Sequence, residues 1–240
     1  MIKQSIRNNI PDNINALLWR YISIDRLISL LENGALYFCR ADLFSDPLEG
    51  IQSGPTIAYR PVFFEGATDH WLSATMPMFD SRERKCLYVN CWHNNYHESE
   101  FMWKKYSAQV AIKSSLKRIK SSILETGREF LLSPVNYIDH NKDFISDANS
   151  FYRFFCKNVN DKDEREVRFA VIQNLEHLGD EDFDTLTFDN GIFIPIDYSR
   201  LIEKIIMYPS TQSDEHNRIY DLLKTYNIQN KLFPSMLTEK

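Results

Sequence analysis

The chain has 240 residues, a formal net charge of −5, 43% hydrophobic residues and 25% charged residues. These values are ordinary for a globular protein, and they exclude collagen-like, low-complexity and disordered chains. They also exclude a global positive charge that would favour nucleic acid or an anionic membrane. The seven glycines include no G-x-G pair, so glycine-rich loops that bind phosphates through backbone amides are excluded. Side chains would therefore do much of the work of holding a nucleotide.

The sequence predicts a cytoplasmic protein without a membrane partner. No apolar run approaches the ~20 residues that a membrane-spanning helix requires. Residues 1–9 lack the apolar stretch of a secretory signal. Four cysteines in a chain of this length fit reduced thiols better than a disulfide framework. Because neither a repeat nor a linker divides the sequence, we expect a single domain over residues 1–240.

Hydrophobic periodicity predicts strands and helices that interleave along the chain. A short strand precedes Ser23, which can cap a helix, and Asn33-Gly34 can end that helix. The predicted strands are 17–21, 35–39, 86–92, 110–112, 166–172, 191–196 and 205–208. The predicted helices are 24–33, 71–85, 99–106, 114–125, 146–157 and 213–226. Their short spacings favour an α+β fold, with a central sheet that is largely antiparallel or mixed and helices that flank it.

Two motifs near the start of the chain suit nucleotide chemistry. In Trp19–Tyr21, the guanidinium of Arg20 can bind phosphate or ribose oxygens beside rings that can stack on a base. The alternative is a buried tryptophan with an arginine at the surface. The turn Asp46–Gly50 carries two carboxylates, which can orient an arginine or a ribose hydroxyl or can serve as a helix cap in a solvated turn.

The segment Cys91–Trp103 contains two further candidates. His93 and His97, with cysteines and glutamates nearby, raise the question of zinc. Their spacing matches neither H-E-x-x-H nor paired C-x-x-C motifs, so we expect no metal. Trp103 and Tyr106 lie on one side of a predicted helix, and they are either core residues or an aromatic wall for a ligand.

The charged run at residues 161–168 is the most informative feature. Charge runs are usually solvated, but this one leads directly into an apolar strand. Alternation along that strand places Glu164, Glu166 and Arg168 on one face. Charged side chains that enter a buried strand need partners or a function. These three residues are therefore candidates for a site.

Taken together, these motifs resemble a bacterial family known as domain of unknown function 2971. The resemblance covers residues 17–237, and the family name supplies no activity. Ser45 stands where the family pattern has Asn, and Val167 stands in an aromatic position. The matching segments, in chain order, are Leu18–Tyr21, Asn33–Leu36, Ser45–Glu49, Met102–Tyr106, Lys157, Glu164–Arg168, Ile205–Pro209 and Ser235.

The same order of motifs is also similar to the three-part signature of ADP-ribosyltransferases. That resemblance implies a split sheet and NAD as substrate. Arg20 would hold NAD, Trp103 or Tyr106 would stack on nicotinamide, and Glu166 would contact the nicotinamide ribose. Glu164 would orient the acceptor, either a protein or a nucleic acid. The middle motif of that superfamily is matched only loosely here.

We therefore hypothesise an NAD-consuming transferase or glycohydrolase, acting in antiphage defence or as a toxin with a regulatory or antitoxin partner. The remaining NAD contacts assigned with it are Tyr21, Asp46 and Arg168. One rival is a non-catalytic binding or regulatory module, in which an ion network is structural. The other rival is a nuclease with Mg²⁺ on a carboxylate cluster. The network would consist of Arg20, Glu166 and Arg168, and the carboxylates would be Asp46, Glu49, Glu164 and Glu166.

Overall fold

A computed structural model describes residues 14–124, 126–209 and 211–237. The helices are α1 (Ile24–Asn33), α2 (Gly54–Phe63), α3 (Met76–Cys86), α4 (Glu100–Lys105), α5 (Leu116–Ser122), α6 (Tyr198–Leu201) and α7 (Ser213–Thr225). The strands are β1 (Leu17–Ile22), β2 (Ala35–Arg40), β3 (Leu87–Asn94), β4 (Val110–Ser115), β5 (Phe130–Pro134), β6 (Asn136–Ile138), β7 (Cys156–Asn158), β8 (Glu166–Ile172), β9 (Gly191–Pro195), β10 (Lys204–Met207) and β11 (Leu232–Phe233). The α+β prediction, with mixed pairing and flanking helices, is confirmed.

The helix predicted at 146–157 is wrong. A 3₁₀ segment, Ser150–Phe155, runs directly into β7 instead. The side chain of Asn149 accepts a hydrogen bond from the amide of Phe151 at 3.0 Å. Such a local bond offers the backbone a turn in place of a longer helix. As a result, Lys157 stands on a strand, two residues after the 3₁₀ segment ends.

Helix α1 connects β1 to β2 and is capped at both ends. The Ser23 side chain accepts from the amide of Arg26 at 3.3 Å and caps the helix. Gly34 adopts the left-handed conformation, with φ of 53°, and its amide donates to the carbonyls of Leu30 and Leu31. Leucines on one face of this helix are buried. The caps therefore fix both ends, as the sequence predicts.

The described residues divide into two compact units. The first unit holds Phe38–Asn90 and Gly127–Ile192, and the second unit holds the rest of the described chain. In the first unit, β8 pairs antiparallel with β5, from Phe130 opposite Val171 to Pro134 opposite Val167. The strand β8 also pairs with β3, and β3 pairs antiparallel with β2. The strand β8 is therefore internal to this sheet, and six of its seven residues are buried.

In the second unit, the strand order is β11, β10, β4, β1 and then the C-terminal half of β3. The pairing of β1 with β4 runs from Leu17 opposite Ser115 to Ile22 opposite Val110. All of these pairs are antiparallel except β10 with β11, which is parallel. Strand β1 is therefore central here. The prediction of one domain over residues 1–240 stays a prediction. Within the described ranges, no helix has both the length and the apolar character needed to cross a bilayer.

Candidate functional site

Five charged side chains of the first unit gather where β8 begins. We call this group the β8 ion cluster. All five are buried, with relative exposures between 0% and 8%. The turn before α2, the short strand β7, the 3₁₀ segment Val159–Glu164 and the start of β8 supply them. The members are Glu49, Lys157, Glu164, Glu166 and Arg168.

The guanidinium of Arg168 has a protein partner on each of its nitrogens. Its Nε donates to Glu166 Oε1 at 2.7 Å, and one terminal nitrogen donates to Glu49 Oε2 at 2.5 Å. The other terminal nitrogen donates to the carbonyl of Phe154 at 2.7 Å. The group also lies 5.4 Å from the centre of the Phe44 ring. Charge-assisted bonds of this kind are the strong ones, so Arg168 fixes the orientation of both carboxylates.

Lys157 contributes the second cation of the cluster. Its Nζ lies 3.1 Å from both oxygens of Glu164, 3.2 Å from Glu49 Oε1 and 3.5 Å from Glu166 Oε2. Burial by itself lowers the pKa of Lys157, but the carboxylates of Glu166, Glu49 and Glu164 outweigh burial and raise that pKa above its ordinary value. Lys157 is therefore charged throughout the neutral range.

The structure corrects the prediction that Glu164 lies on the strand face shared by Glu166 and Arg168. Glu164 ends a 3₁₀ segment, and Arg165 then adopts a left-handed conformation with φ of 45° before β8 begins. This turn breaks the alternation, yet both glutamates still reach Lys157. The backbone amide of Glu166 donates to the Tyr137 hydroxyl at 2.7 Å. Burial raises the pKa of that phenol, so it is neutral around pH 7.

The turn Asp46–Gly50 reaches the cluster through Glu49. The predicted site residue Asp46 is half-buried, and its Oδ1 accepts from the amide of Leu48 at 2.9 Å. This is the bond of an Asx turn. Gly50 has a φ of 73°, and its carbonyl accepts from Arg153 Nε at 3.0 Å. The turn chemistry therefore presents the second carboxylate, rather than Asp46, to the cations.

In the second unit, Arg20 differs from Arg168 in its surroundings, where Cys91 and Tyr106 act on its charge only through space. It is half-buried and makes no hydrogen bond or ion pair with a described residue. Its guanidinium lies 5.9 Å from the centre of the Trp92 ring, which is fully buried. Burial lowers the pKa of Arg20 to about 10, so the group is charged at neutral pH. A partly dehydrated cation beside an indole is suited to an anionic ligand with an aromatic part.

Three aromatic side chains on the other side of β1 form a group that we call the tryptophan cluster, namely Trp19, Tyr21 and Trp103. Each is at most 4% exposed. The rings of Trp19 and Tyr21 stack with centres 6.3 Å apart, and the Trp103 ring stands nearly perpendicular to Tyr21 at 5.1 Å. The Trp19 Nε1 donates to the carbonyl of Asn95 at 2.9 Å, and the Tyr21 hydroxyl accepts from the amide of Ser99 at 2.8 Å. Buried aromatic residues with satisfied polar ends are typical of a core.

Tyr106 follows α4 and is the exposed member of the predicted aromatic set. Its side chain is 38% exposed, and its ring lies 5.3 Å from that of His93. His93 in turn lies 6.2 Å from Tyr21. In the conformation described, Tyr106 is thus more accessible to a ligand than Tyr21 or Trp103.

The structure brings together Glu164, Glu166 and Arg168 in one unit, and Tyr21 and Trp103 in the other. Three of the four carboxylates of the nuclease hypothesis do meet, around Lys157 and Arg168. Among the described residues, no group of three or more His, Cys, Asp or Glu side chains is arranged to hold a metal ion. Sequence reasoning missed Trp92 as the neighbour of Arg20, although an aromatic residue in a predicted strand was a signal.

Comparison with known proteins leaves the family open. No protein-family model matches the chain, and no curated protein matches it. The resemblances to domain of unknown function 2971 and to ADP-ribosyltransferases therefore stay predictions.

Proposed function

We propose that this protein binds an anionic nucleotide of the NAD class, with Arg20 as the cation that holds the pyrophosphate. One observation carries the proposal: Arg20 is half-buried, charged and without an ion pair or hydrogen bond to any described residue. A cation that is partly removed from water and has no hydrogen bond or ion pair within the described part of the chain has much of its solvation cost uncompensated. A phosphate oxygen is a partner that compensates it.

The β8 ion cluster has a structural role in this proposal. Glu166 is 2% exposed, and its two oxygens contact Arg168 and Lys157. A carboxylate in this state does not touch a ligand in the conformation described. The protein is thus proposed as a non-catalytic ligand-binding or regulatory module, in which the cluster stabilises the fold and Arg20 serves the ligand.

Titration calorimetry with NAD and ADP-ribose tests the binding. The test variant is Arg20→Met, which keeps an unbranched apolar side chain, and the matched control is Arg200→Met, whose side chain is 67% exposed. One or two charged hydrogen bonds are worth about 1.5–3 kcal/mol each, so Arg20→Met weakens binding by ten- to a hundredfold or more. Arg200→Met leaves it unchanged. Absence of binding to the wild-type protein at millimolar ligand contradicts the proposal.

A second candidate function is an NAD-consuming ADP-ribosyltransferase or glycohydrolase. The specific observation in its favour is that Glu164 and Glu166, the E-x-E pair, reach one ammonium group at the start of β8. In this reaction the bond between the ribose and nicotinamide breaks, nicotinamide leaves with the bonding electrons, and an acceptor hydroxyl, amine or water attacks the ribose. Glu166 would stabilise the positive charge that develops on the ribose.

This second candidate requires Glu166 to exchange its present partners for the ribose. To test this candidate, the protein is incubated with NAD, with and without cell lysate, and the nicotinamide released is measured by chromatography. We expect Glu166→Gln to lower such an activity by about 10²–10³-fold. If the folded wild-type protein binds NAD but releases no nicotinamide and labels no acceptor, the binding module stands and the enzyme does not. Antiphage defence, toxicity and a cytoplasmic location belong to this second candidate.

A further inference from the structure

The last described residues, Ser235–Leu237, lie on the tryptophan cluster. Leu237 is partly buried and packs against the apolar group that contains Trp19, Tyr21 and Trp103. Its backbone amide donates to Ser235 Oγ at 3.0 Å, which holds the segment in a tight bend. The segment therefore covers part of this apolar group of the second unit.

The polar attachment of this segment converges on a single carboxylate. Ser235 Oγ donates to Glu98 Oε1 at 2.5 Å, and the amide of Met236 donates to Glu98 Oε2 at 3.0 Å. The third donor to Glu98 is Trp103 Nε1, at 2.8 Å. The same carboxylate thus orders an indole of the cluster and the segment that covers it.

The attachment is also local and small. The segment follows β11, whose two residues pair with β10, and it has no helix or strand of its own. The Met236 side chain is 91% exposed. Among the described residues, release of the segment breaks its two hydrogen bonds to Glu98 and the packing of Leu237, and it breaks no pairing between strands. Segments with few buried contacts open far more easily than the sheet does.

We infer that Ser235–Leu237 is a detachable strap that closes the tryptophan cluster. When the strap leaves, the part of this apolar group beneath Leu237 is uncovered, and Glu98, which also accepts from Trp103 Nε1, loses the two donors of the strap. Such a surface suits a planar aromatic group. The inference is independent of Arg20 and of the proposed function, since it concerns a different set of contacts.

Amide hydrogen exchange read by mass spectrometry tests the strap. The double variant Ser235→Ala/Leu237→Ala removes one donor to Glu98, the acceptor of the Leu237 amide and the apolar contact. Met236→Ala is the matched control because its side chain is exposed. The readout is the Met236 amide, whose acceptor Glu98 is unchanged in the variant. A hydrogen bond to a charged group is worth about 1.5–3 kcal/mol, so the double variant raises exchange of this amide by at least about tenfold. Met236→Ala leaves that exchange unchanged.

Acrylamide quenching of tryptophan fluorescence, in a Trp71→Phe background, reads the cluster itself. Trp71 is half-buried and would otherwise dominate the signal. The double variant increases quenching, and the control does not. The inference is overturned if the Met236 amide of the wild-type protein exchanges at an unprotected rate. It is also overturned if quenching stays the same in a variant whose Met236 amide has lost its protection. Slow exchange in β4 verifies that the variant is folded. If the double variant lacks that protection, Ser235→Ala alone, which removes no apolar contact, gives the same two readouts.

Discussion

Replacement of Arg20 by methionine should stabilise the folded protein while it removes ligand binding. Burial lowers the pKa of Arg20 from 12.5 to about 10. Each pKa unit corresponds to 1.36 kcal/mol, so the charged group costs the folded state up to about 3 kcal/mol. Because Arg20 is only half-buried, water screens part of this cost, and we expect Arg20→Met to raise the free energy of unfolding by about 1–2 kcal/mol. Methionine retains an unbranched apolar side chain beside Trp92.

The matched comparison is Arg168→Met, in the β8 ion cluster. Arg168 is 1% exposed and neutralises Glu166 and Glu49. Its removal leaves buried carboxylates without their main partner, which costs about 3–5 kcal/mol. The two substitutions are chemically identical, so they differ only in the surroundings of the arginine.

Urea unfolding at pH 7, followed by circular dichroism, measures both variants against the wild-type protein. The expected order of stability is Arg20→Met, then wild type, then Arg168→Met. If Arg20→Met loses as much stability as Arg168→Met, Arg20 is a structural residue with partners in the folded state. Arg20 then does not carry a dehydrated charge that destabilises the folded state.

Three further substitutions or conditions test the cluster and its turn. Gly50→Ala should lower the free energy of unfolding in urea by several kcal/mol, because the position has a φ of 73° and the new Cβ would lie 2.8 Å from the Phe154 ring. Gly34→Ala, whose new Cβ meets no atom within 4 Å, should lower it by only about 1–2 kcal/mol. Equal losses in the two variants contradict close packing of Gly50 against Phe154. The pKa of Lys157 is raised in the folded state. Its contribution to stability is therefore complete below its unfolded pKa near 10.4 and is lost only as pH rises through the higher folded pKa. Chemical denaturation should accordingly show no loss of unfolding free energy from this group between pH 7 and 10. Glu166→Gln should lower the free energy of unfolding by about 3 kcal/mol, since it removes the carboxylate that pairs with both cations; an unchanged urea midpoint contradicts a structural role.

Local signals in the sequence were sufficient for much of the fold. Ser23 and Gly34 set the ends of α1 through bonds to residues three or four positions away, which a sequence pattern contains. The buried apolar run of β8 was equally clear. Helix α2 was missed because it has a weak periodic pattern and carries Pro61 in its interior. Strands β5, β6 and β7 were missed because their pairing with distant or short segments decides them.

In the candidate site, too, contacts between neighbours in sequence were predictable and contacts between distant residues were not. The sequence grouped Glu166 with Arg168, since residues two apart on a strand share a face. It grouped Glu164 with them by the same alternation, but the left-handed conformation of Arg165 interrupts the strand between Glu164 and Glu166. The contact between Glu49 and Arg168 joins positions 119 residues apart, so it depends on tertiary structure. The absence of an ion pair at Arg20 among the described residues is likewise a property of the folded chain.

The most direct test of the central claim compares ligands with and without phosphates on wild-type protein and Arg20→Met. Calorimetric titration with ADP-ribose and with adenosine separates the pyrophosphate contact from contacts to the base and sugar. We expect Arg20→Met to weaken ADP-ribose binding by ten- to a hundredfold or more and to leave adenosine binding unchanged. Equal ADP-ribose affinity in the two proteins, with both folded, would contradict the assignment of Arg20 as the anion site.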